Sequence, residues 1–192
     1  FRPFMTKYTR LDRKTRHAAD MYINVLEQLG VTDVANHGLH IETCKEWNDE
    51  VFRFYESQGV MPRDKIIGFN IGSAVPEKRW PAERFADVAD YFGNKGYKTV
   101  FFGGPMDLDM VKPVVEQMKT SPIVATGAFK LGPLAAAMKW CDLLITNDSG
   151  PMHVAISQGV PIVALYGPSN PFFYGPYQAK SIVLESMDHY EI

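Results

Sequence analysis

The chain has 192 residues, of which 46% are apolar, 22% charged and 12% aromatic, the profile of a folded globular domain and not of disorder. Lys and Arg total 20 against 22 Asp and Glu, a formal charge of −2, which excludes the bulk positive charge that drives nucleic-acid binding by counterion release. The longest apolar runs, Cys141 to Thr146 and Val160 to Tyr166, fall short of the about 20 residues of a membrane-spanning helix.

Cys44 and Cys141 form no CxxC pair and cannot build a disulfide scaffold, so a reducing cytosol is the default compartment. The chain starts at Phe1 with neither an initiator Met nor a signal peptide, and we expect it to be a piece of a longer protein.

Residues 1 to 15 are basic and aperiodic. From Arg16, the apolar residues Ala18, Met21, Tyr22, Val25, Leu26 and Leu29 recur at helical spacing until Gly30. A second helix is predicted from about Cys44 to Ser57, with Trp47, Val51, Phe54 and Tyr55 on its apolar face. A regular alternation follows. Strands are predicted at Lys65 to Ile71, Lys98 to Phe102, Ile123 to Ala125, Leu143 to Thr146 and Pro161 to Tyr166. Between them lie helices from Pro81, over Leu108 to Lys119, Pro133 to Trp140 and Pro151 to Gln158.

Short apolar strands that each lead into a helix imply a parallel sheet covered on both faces. The expected fold is a doubly wound α/β domain over about residues 61 to 192, with residues 1 to 60 as a helical lead-in. Ligands of such sheets bind outside the carboxyl ends of the strands, which directs attention to the loops leaving them.

Three of these loops carry candidate chemistry. The first runs from Asn70 through Gly72-Ser73 to Lys78-Arg79-Trp80-Pro81, and places two cations just before a helix. Free N–H groups and partial positive charge at a helix start, added to Lys78 and Arg79, suit an anion such as phosphate. A solvated basic pair beside a turn would use the same residues. The second is Gly103-Gly104-Pro105-Met106-Asp107, where glycines allow close backbone approach to a ligand or simply a tight turn. It is neither a Walker A loop nor GxGxxG.

The third, Thr146-Asn147-Asp148-Ser149-Gly150-Pro151-Met152-His153, is the most specific. Asp148 or Ser149 could cap the helix that Pro151 opens, but capping leaves His153 unexplained. A helix N-terminus disfavours imidazolium, so His153 is expected to be neutral. A carboxylate there would repel phosphate, so Asp148 suits sugar hydroxyls, with Gly150 and the helix N–H groups meeting phosphates.

Other polar residues carry less. His17 lies on the first helix and His37 and His40 near a turn, none at metal-ligand spacing. No GxSxG elbow or catalytic Cys/His pair occurs. The aromatic Pro/Gly segment Tyr166 to Tyr177 could stack on a base or fold back over the core, and core packing is the expectation.

Taken in order, Gly72-Ser73, Lys78-Arg79-Trp80-Pro81, Arg84-Phe85, Gly103-Gly104-Pro105, Asn147-Asp148-Ser149-Gly150-Pro151-Met152-His153, Gly159-Val160-Pro161 and Tyr166-Gly167-Pro168-Ser169 resemble the heptosyltransferase family. The resemblance implies the C-terminal, Rossmann-like donor domain of a GT-B glycosyltransferase, residues 1 to 60 being the end of the N-terminal half and the crossover. It implies that Ser73 and Lys78 hold the phosphates of an ADP-sugar. Asp148, Ser149, Gly150 and His153 would contact phosphate and sugar, Asp107 the nucleoside, and Arg79 would join Lys78 in stabilising the charge on the leaving diphosphate. Ala74 stands where many relatives have a second hydroxyl or small residue.

The implied reaction is inverting transfer of a heptose, or a similar sugar, from an ADP-heptose-like donor to a lipopolysaccharide-core acceptor. It needs no cofactor and no metal. It would run in the bacterial cytoplasm, at the inner face of the inner membrane, with peripheral membrane association of the full protein. The family's general base, an aspartate early in the N-terminal domain, has no counterpart here, so no catalytic residue is assigned and the chain alone is expected to be inactive. The alternatives are a non-catalytic nucleotide-binding module and a GT-B enzyme using a UDP-sugar.

Overall fold

The computed structural model describes residues 15–31 and 34–186. The basic segment read at the start of the sequence lies outside them, apart from Thr15. Two helices come first, α1 (Ala18–Gln28) and α2 (Lys45–Ser57). Strands and helices then alternate as β1 (Ile66–Asn70), α3 (Ala82–Asn94), β2 (Lys98–Phe102), α4 (Leu108–Gln117) and β3 (Ile123–Val124). The series continues with α5 (Leu131–Met138), β4 (Leu143–Asn147), α6 (Gly150–Ile156), β5 (Ile162–Tyr166), the short α7 (Pro171–Tyr174) and β6 (Ser181–Glu185).

All neighbouring strands pair in parallel, in the order β3-β2-β1-β4-β5-β6. The expected doubly wound parallel sheet is therefore the one observed. The sixth strand is an addition to the five predicted. In β6 only Val183 packs on the core, while Ile182 and Leu184 are 61% and 52% exposed, so this edge strand lacks a buried apolar run.

Side chains alternate across the strands, so the sheet builds two cores. On one face Ile66, Val100, Phe102, Leu144, Ile162 and Ala164 meet α2, α5 and α6. On the other, Ile67, Phe69, Phe101 and Ile145 meet Phe85, Ala86 and Ala89 of α3 and Val111 and Val114 of α4. Helix α2 contributes Val51 and Tyr55, both wholly buried, to the first core. The helix α1 is tied to the far end of the chain: its N-cap His17 stacks on Tyr177 with ring centroids 4.5 Å apart, and Asp20 accepts a hydrogen bond from the Tyr177 hydroxyl.

From β1 the chain builds outward through β2 and β3, then crosses back to lay β4, β5 and β6 on the other side. The strand order reverses between β1 and β4, and the loops leaving those strands part to opposite faces. A crevice at their carboxyl ends is the consequence.

Tyr55 tests the seating of α2. Its ring packs 5.2 Å from that of Trp140, and its hydroxyl donates 3.1 Å to the Ala137 carbonyl of α5. Tyr55→Phe is expected to lower the free energy of unfolding by about 1 kcal/mol, the net value of one buried hydrogen bond. Tyr55→Ala should cost about 3–5 kcal/mol through the cavity it leaves. Urea denaturation monitored by circular dichroism measures both.

Candidate functional site

The central strands β1 and β4 both end in asparagine. Asn70 and Asn147 are fully buried. Asn70 Nδ2 donates to the Gly72 carbonyl at 3.2 Å, to Thr146 Oγ1 at 3.1 Å and to Ser149 Oγ at 2.8 Å. Asn147 Nδ2 donates 2.8 Å to the Ile71 carbonyl, and its Oδ1 accepts from the Trp80 backbone N–H at 3.0 Å. The two side chains thus bind the loop after β1 to the loop after β4. Both lie in loops that the sequence singles out, but neither is given a role there; the available signal is an amide ending an otherwise apolar run.

This stitching brings Lys78 to Asp148. Lys78 lies in a 3-10 turn, Pro76–Lys78, and its Nζ meets Asp148 Oδ2 at 2.6 Å. Asp148 is 6% exposed and the Lys78 side chain 26%. The same Oδ2 accepts a 2.6 Å hydrogen bond from Ser169 Oγ, and Oδ1 lies 3.4 Å from the Tyr166 hydroxyl, which donates 2.9 Å to the Tyr174 carbonyl. Burial first, then the Asp148 charge, push the Tyr166 hydroxyl well above its ordinary pKa. Ser169 and Tyr166 have no place among the sequence-predicted contacts, because only the folded loop after β5 brings them here.

The remaining candidates shape the site. Ser73 is buried; its carbonyl accepts from Arg79 Nε at 2.8 Å and from Nη2 at 2.6 Å, so Arg79 braces the loop. The Asp107 carboxylate closes its own turn, accepting from the Gly104 N–H at 2.7 Å, and it lies against Gly72. A Cβ on Gly72 would fall 2.6 Å from the Asp107 carboxyl carbon, which explains why this position carries no side chain.

Ser149 occupies the N-cap position of α6, but no side chain caps that helix. Its hydroxyl instead donates 3.2 Å to the Asn147 carbonyl while accepting from Asn70. The capping role considered for Asp148 or Ser149 is thus replaced by links between loops. Gly150 opens α6 with free space around it. His153 follows in the first turn and is held toward its neutral form, chiefly by burial, with nearby His17 adding to the effect and Asp148 opposing it.

A cavity of about 490 Å³ adjoins this network, lined by Lys78, Arg79, Trp80, Asn147, Leu165 and Leu184 among others. Of the candidates, Lys78 and Arg79 face it, Asp148 joins through Lys78, and Ser73, Asp107, Ser149, Gly150 and His153 lie outside its lining. The aromatic segment after β5 divides: Tyr166 and Tyr177 are buried, whereas Phe172 and Tyr174 are 57% and 49% exposed. Among the described residues no three His, Cys, Asp or Glu side chains gather as a metal site would require. No helix among them is long and apolar enough to cross a membrane.

A parallel, doubly wound sheet with its polar loops gathered where the strand order reverses defines a Rossmann-like α/β domain. The chain belongs to glycosyltransferase family 9 (heptosyltransferase), whose model matches residues 3–191. It is similar to a family 9 glycosyl transferase of Veillonella parvula DSM 2008, at 81% identity and TM-score 0.92, over 97% of this chain and 54% of that one. The ADP-heptose LPS heptosyltransferase II of E. coli is 29% identical with TM-score 0.67, over 76% of this chain and 44% of that one. Lipopolysaccharide heptosyltransferase 2 of Salmonella typhimurium is 34% identical over 130 residues, 65% of this chain and 37% of that protein. The chain spans about half, or less, of the length of these relatives.

Two outcomes are expected from this geometry. Gly72→Ala should cost about 1–3 kcal/mol as an overpacked position, and the loss should shrink when Asp107→Ala is added, a non-additivity that a double-mutant cycle in urea detects. For His153, the folded pKa lies below the ordinary 6.5. Between the two values the unfolded chain binds more protons, so stability falls as pH drops from 6.5 towards the folded pKa. Melting curves of His153→Gln should show a weaker pH dependence in that window.

Proposed function

We propose that this chain is the donor-binding part of an inverting glycosyltransferase that moves a heptose, or a similar sugar, from an ADP-sugar to a lipopolysaccharide-core acceptor. The observation that carries the reading is the Lys78–Asp148 pair at the strand-order reversal. It sets an anion-seeking ammonium beside a hydroxyl-seeking carboxylate, and a diphosphate-linked sugar offers both partners. Membership of the heptosyltransferase family and similarity to an enzyme described as ADP-heptose LPS heptosyltransferase II support the choice of donor.

In the proposed reaction an acceptor hydroxyl attacks the anomeric carbon of the sugar. The bond from that carbon to the diphosphate oxygen breaks, and its electron pair leaves with the diphosphate. The configuration at carbon inverts. Negative charge grows on the departing oxygens, and the Lys78 ammonium is placed to meet it, with Arg79 holding the Ser73 loop in shape. We assign this countercharge to side chains and no metal to the step. Asp148 accepts hydrogen bonds from sugar hydroxyls, and we assign Gly150 and His153 to the same donor. The hydroxyl proton passes to a base that we assign to no residue of this chain. The chain alone is expected to bind donor without transferring sugar. The acceptor places the complete reaction at the cytoplasmic face of the inner membrane.

Isothermal calorimetry with ADP, UDP and GDP tests the reading. ADP is expected to bind best, more weakly as salt rises, and Lys78→Ala should weaken it by roughly tenfold or more, the worth of hydrogen bonds to a charged donor. ADP affinity unchanged in Lys78→Ala would remove the phosphate assignment. Preference for UDP would point to a UDP-sugar enzyme instead.

A further inference from the structure

The Lys78–Asp148 pair poses a chemical problem for the site just proposed. If a diphosphate recruits the ammonium, a carboxylate only 6% exposed loses its cation. Buried carboxylates are strongly disfavoured without partners. Something must partner Asp148 and keep it aimed while Lys78 turns away from it.

The loop leaving β5 supplies that partner. Gly167 packs against the Lys78 turn so closely that a Cβ there would fall 3.1 Å from the Glu77 carbonyl. This contact brings the following Pro168 and Ser169 over the end of β4. Asn170 then starts α7, its side chain accepting from the Phe172 N–H at 2.8 Å, with Pro171 fixing the first turn. Ser169 is held between these two anchors, and its Oγ donates 2.6 Å to Asp148 Oδ2, the oxygen that Lys78 contacts. Being neutral, Ser169 does not compete with Lys78 for an anion. Tyr166 approaches the other oxygen at 3.4 Å, too far to replace Ser169.

We propose that Ser169 is a positioning residue that holds the Asp148 carboxylate toward the donor's sugar when Lys78 engages the diphosphate, and so sets the preference for nucleotide-sugar over free nucleotide. The inference rests on the donor-binding reading above. Diphosphate recognition and sugar recognition are coupled through one carboxylate oxygen, shared between a cation that a ligand draws off and a hydroxyl that stays.

The experiment is calorimetric titration of the chain and its variants with ADP and with ADP-heptose. In Ser169→Ala, ADP affinity should fall severalfold, because Asp148 loses a donor as Lys78 is drawn off. ADP-heptose affinity should fall further, so that its advantage over ADP drops by roughly tenfold, the loss of a hydrogen bond to a charged group. Ser169→Thr, which keeps the hydroxyl, should retain the advantage. A purely structural role would lower both affinities by the same factor and leave their ratio unchanged. Should Ser169→Ala fail to fold by circular dichroism, Ser169→Cys keeps the volume, weakens the donor and carries the same expectation. An unchanged ADP-heptose to ADP ratio in the folded variant would overturn the inference. Failure of the parent chain to bind ADP would instead overturn the donor-binding reading itself.

Discussion

Two buried amides hold together loops that the fold would otherwise send apart. Where strand order reverses, the chain leaving β1 turns toward one face and the chain leaving β4 toward the other. Their backbone groups lose sheet partners at that point, and burial makes every unpaired N–H or C=O costly. Asparagine carries a donor and an acceptor on one short side chain, and the two positions use them differently. Asn147 uses both, to the Ile71 carbonyl and from the Trp80 N–H. Asn70 spends its donors on Gly72, Thr146 and Ser149, and its Oδ1 has no partner among the described residues. A carboxylate could not donate, and an aliphatic residue could do neither. The placing of Lys78, of Ser73 and of the α6 terminus follows from these bonds.

Electrostatics then separates the site's ion pair from the others. Lys45–Asp49 and Lys65–Asp142 close to 2.6 and 2.7 Å, but their lysine side chains are 83% and 67% exposed. Water screens such pairs, and little stabilisation remains. Lys78–Asp148 has the same length at 26% and 6% exposure. There the field is less screened, and removing one partner of a buried pair costs about 3–5 kcal/mol because the other charge is stranded. A ligand that takes Lys78 must repay much of that. A diphosphate can, through its own charge. A neutral molecule cannot.

The alternation of elements was legible because β1, β2, β4 and β5 are buried on both faces and read as continuous apolar runs. Strand β6 was not, since Ile182 and Leu184 face outward at the sheet edge. Lys78 and Asp148 could be singled out by residue type and position, as members of loops that leave strands. Their contact with each other could not, because it depends on the register of β1 against β4, Asn70 beside Thr146, and on side chains crossing from one loop to the other. The same reason hid Ser169 and Tyr166. Ser149 looked like a cap from its place before Gly150-Pro151, yet its hydroxyl found closer partners in Asn70 and Asn147. The neutral tendency of His153 was expected from the helix terminus; in the folded chain burial is the larger cause.

The division of work between the two cations follows from their chemistry. A guanidinium is a rigid planar fork of donors, and Arg79 converges Nε and Nη2 on one carbonyl oxygen, that of Ser73. Such a group suits a fixed brace. An ammonium is a compact charge with three rotatable donors on a flexible stem, able to shift between oxygens without losing its charge. Lys78, half-buried beside Asp148 and facing the cavity, is the cation that can change partners. Exchanging the two residue types would put the fork where a moving charge is needed and the moving charge where the loop needs a brace. The order Lys78-Arg79, which residue type alone presents as two positive charges before a helix, is an ordered pair of unlike functions.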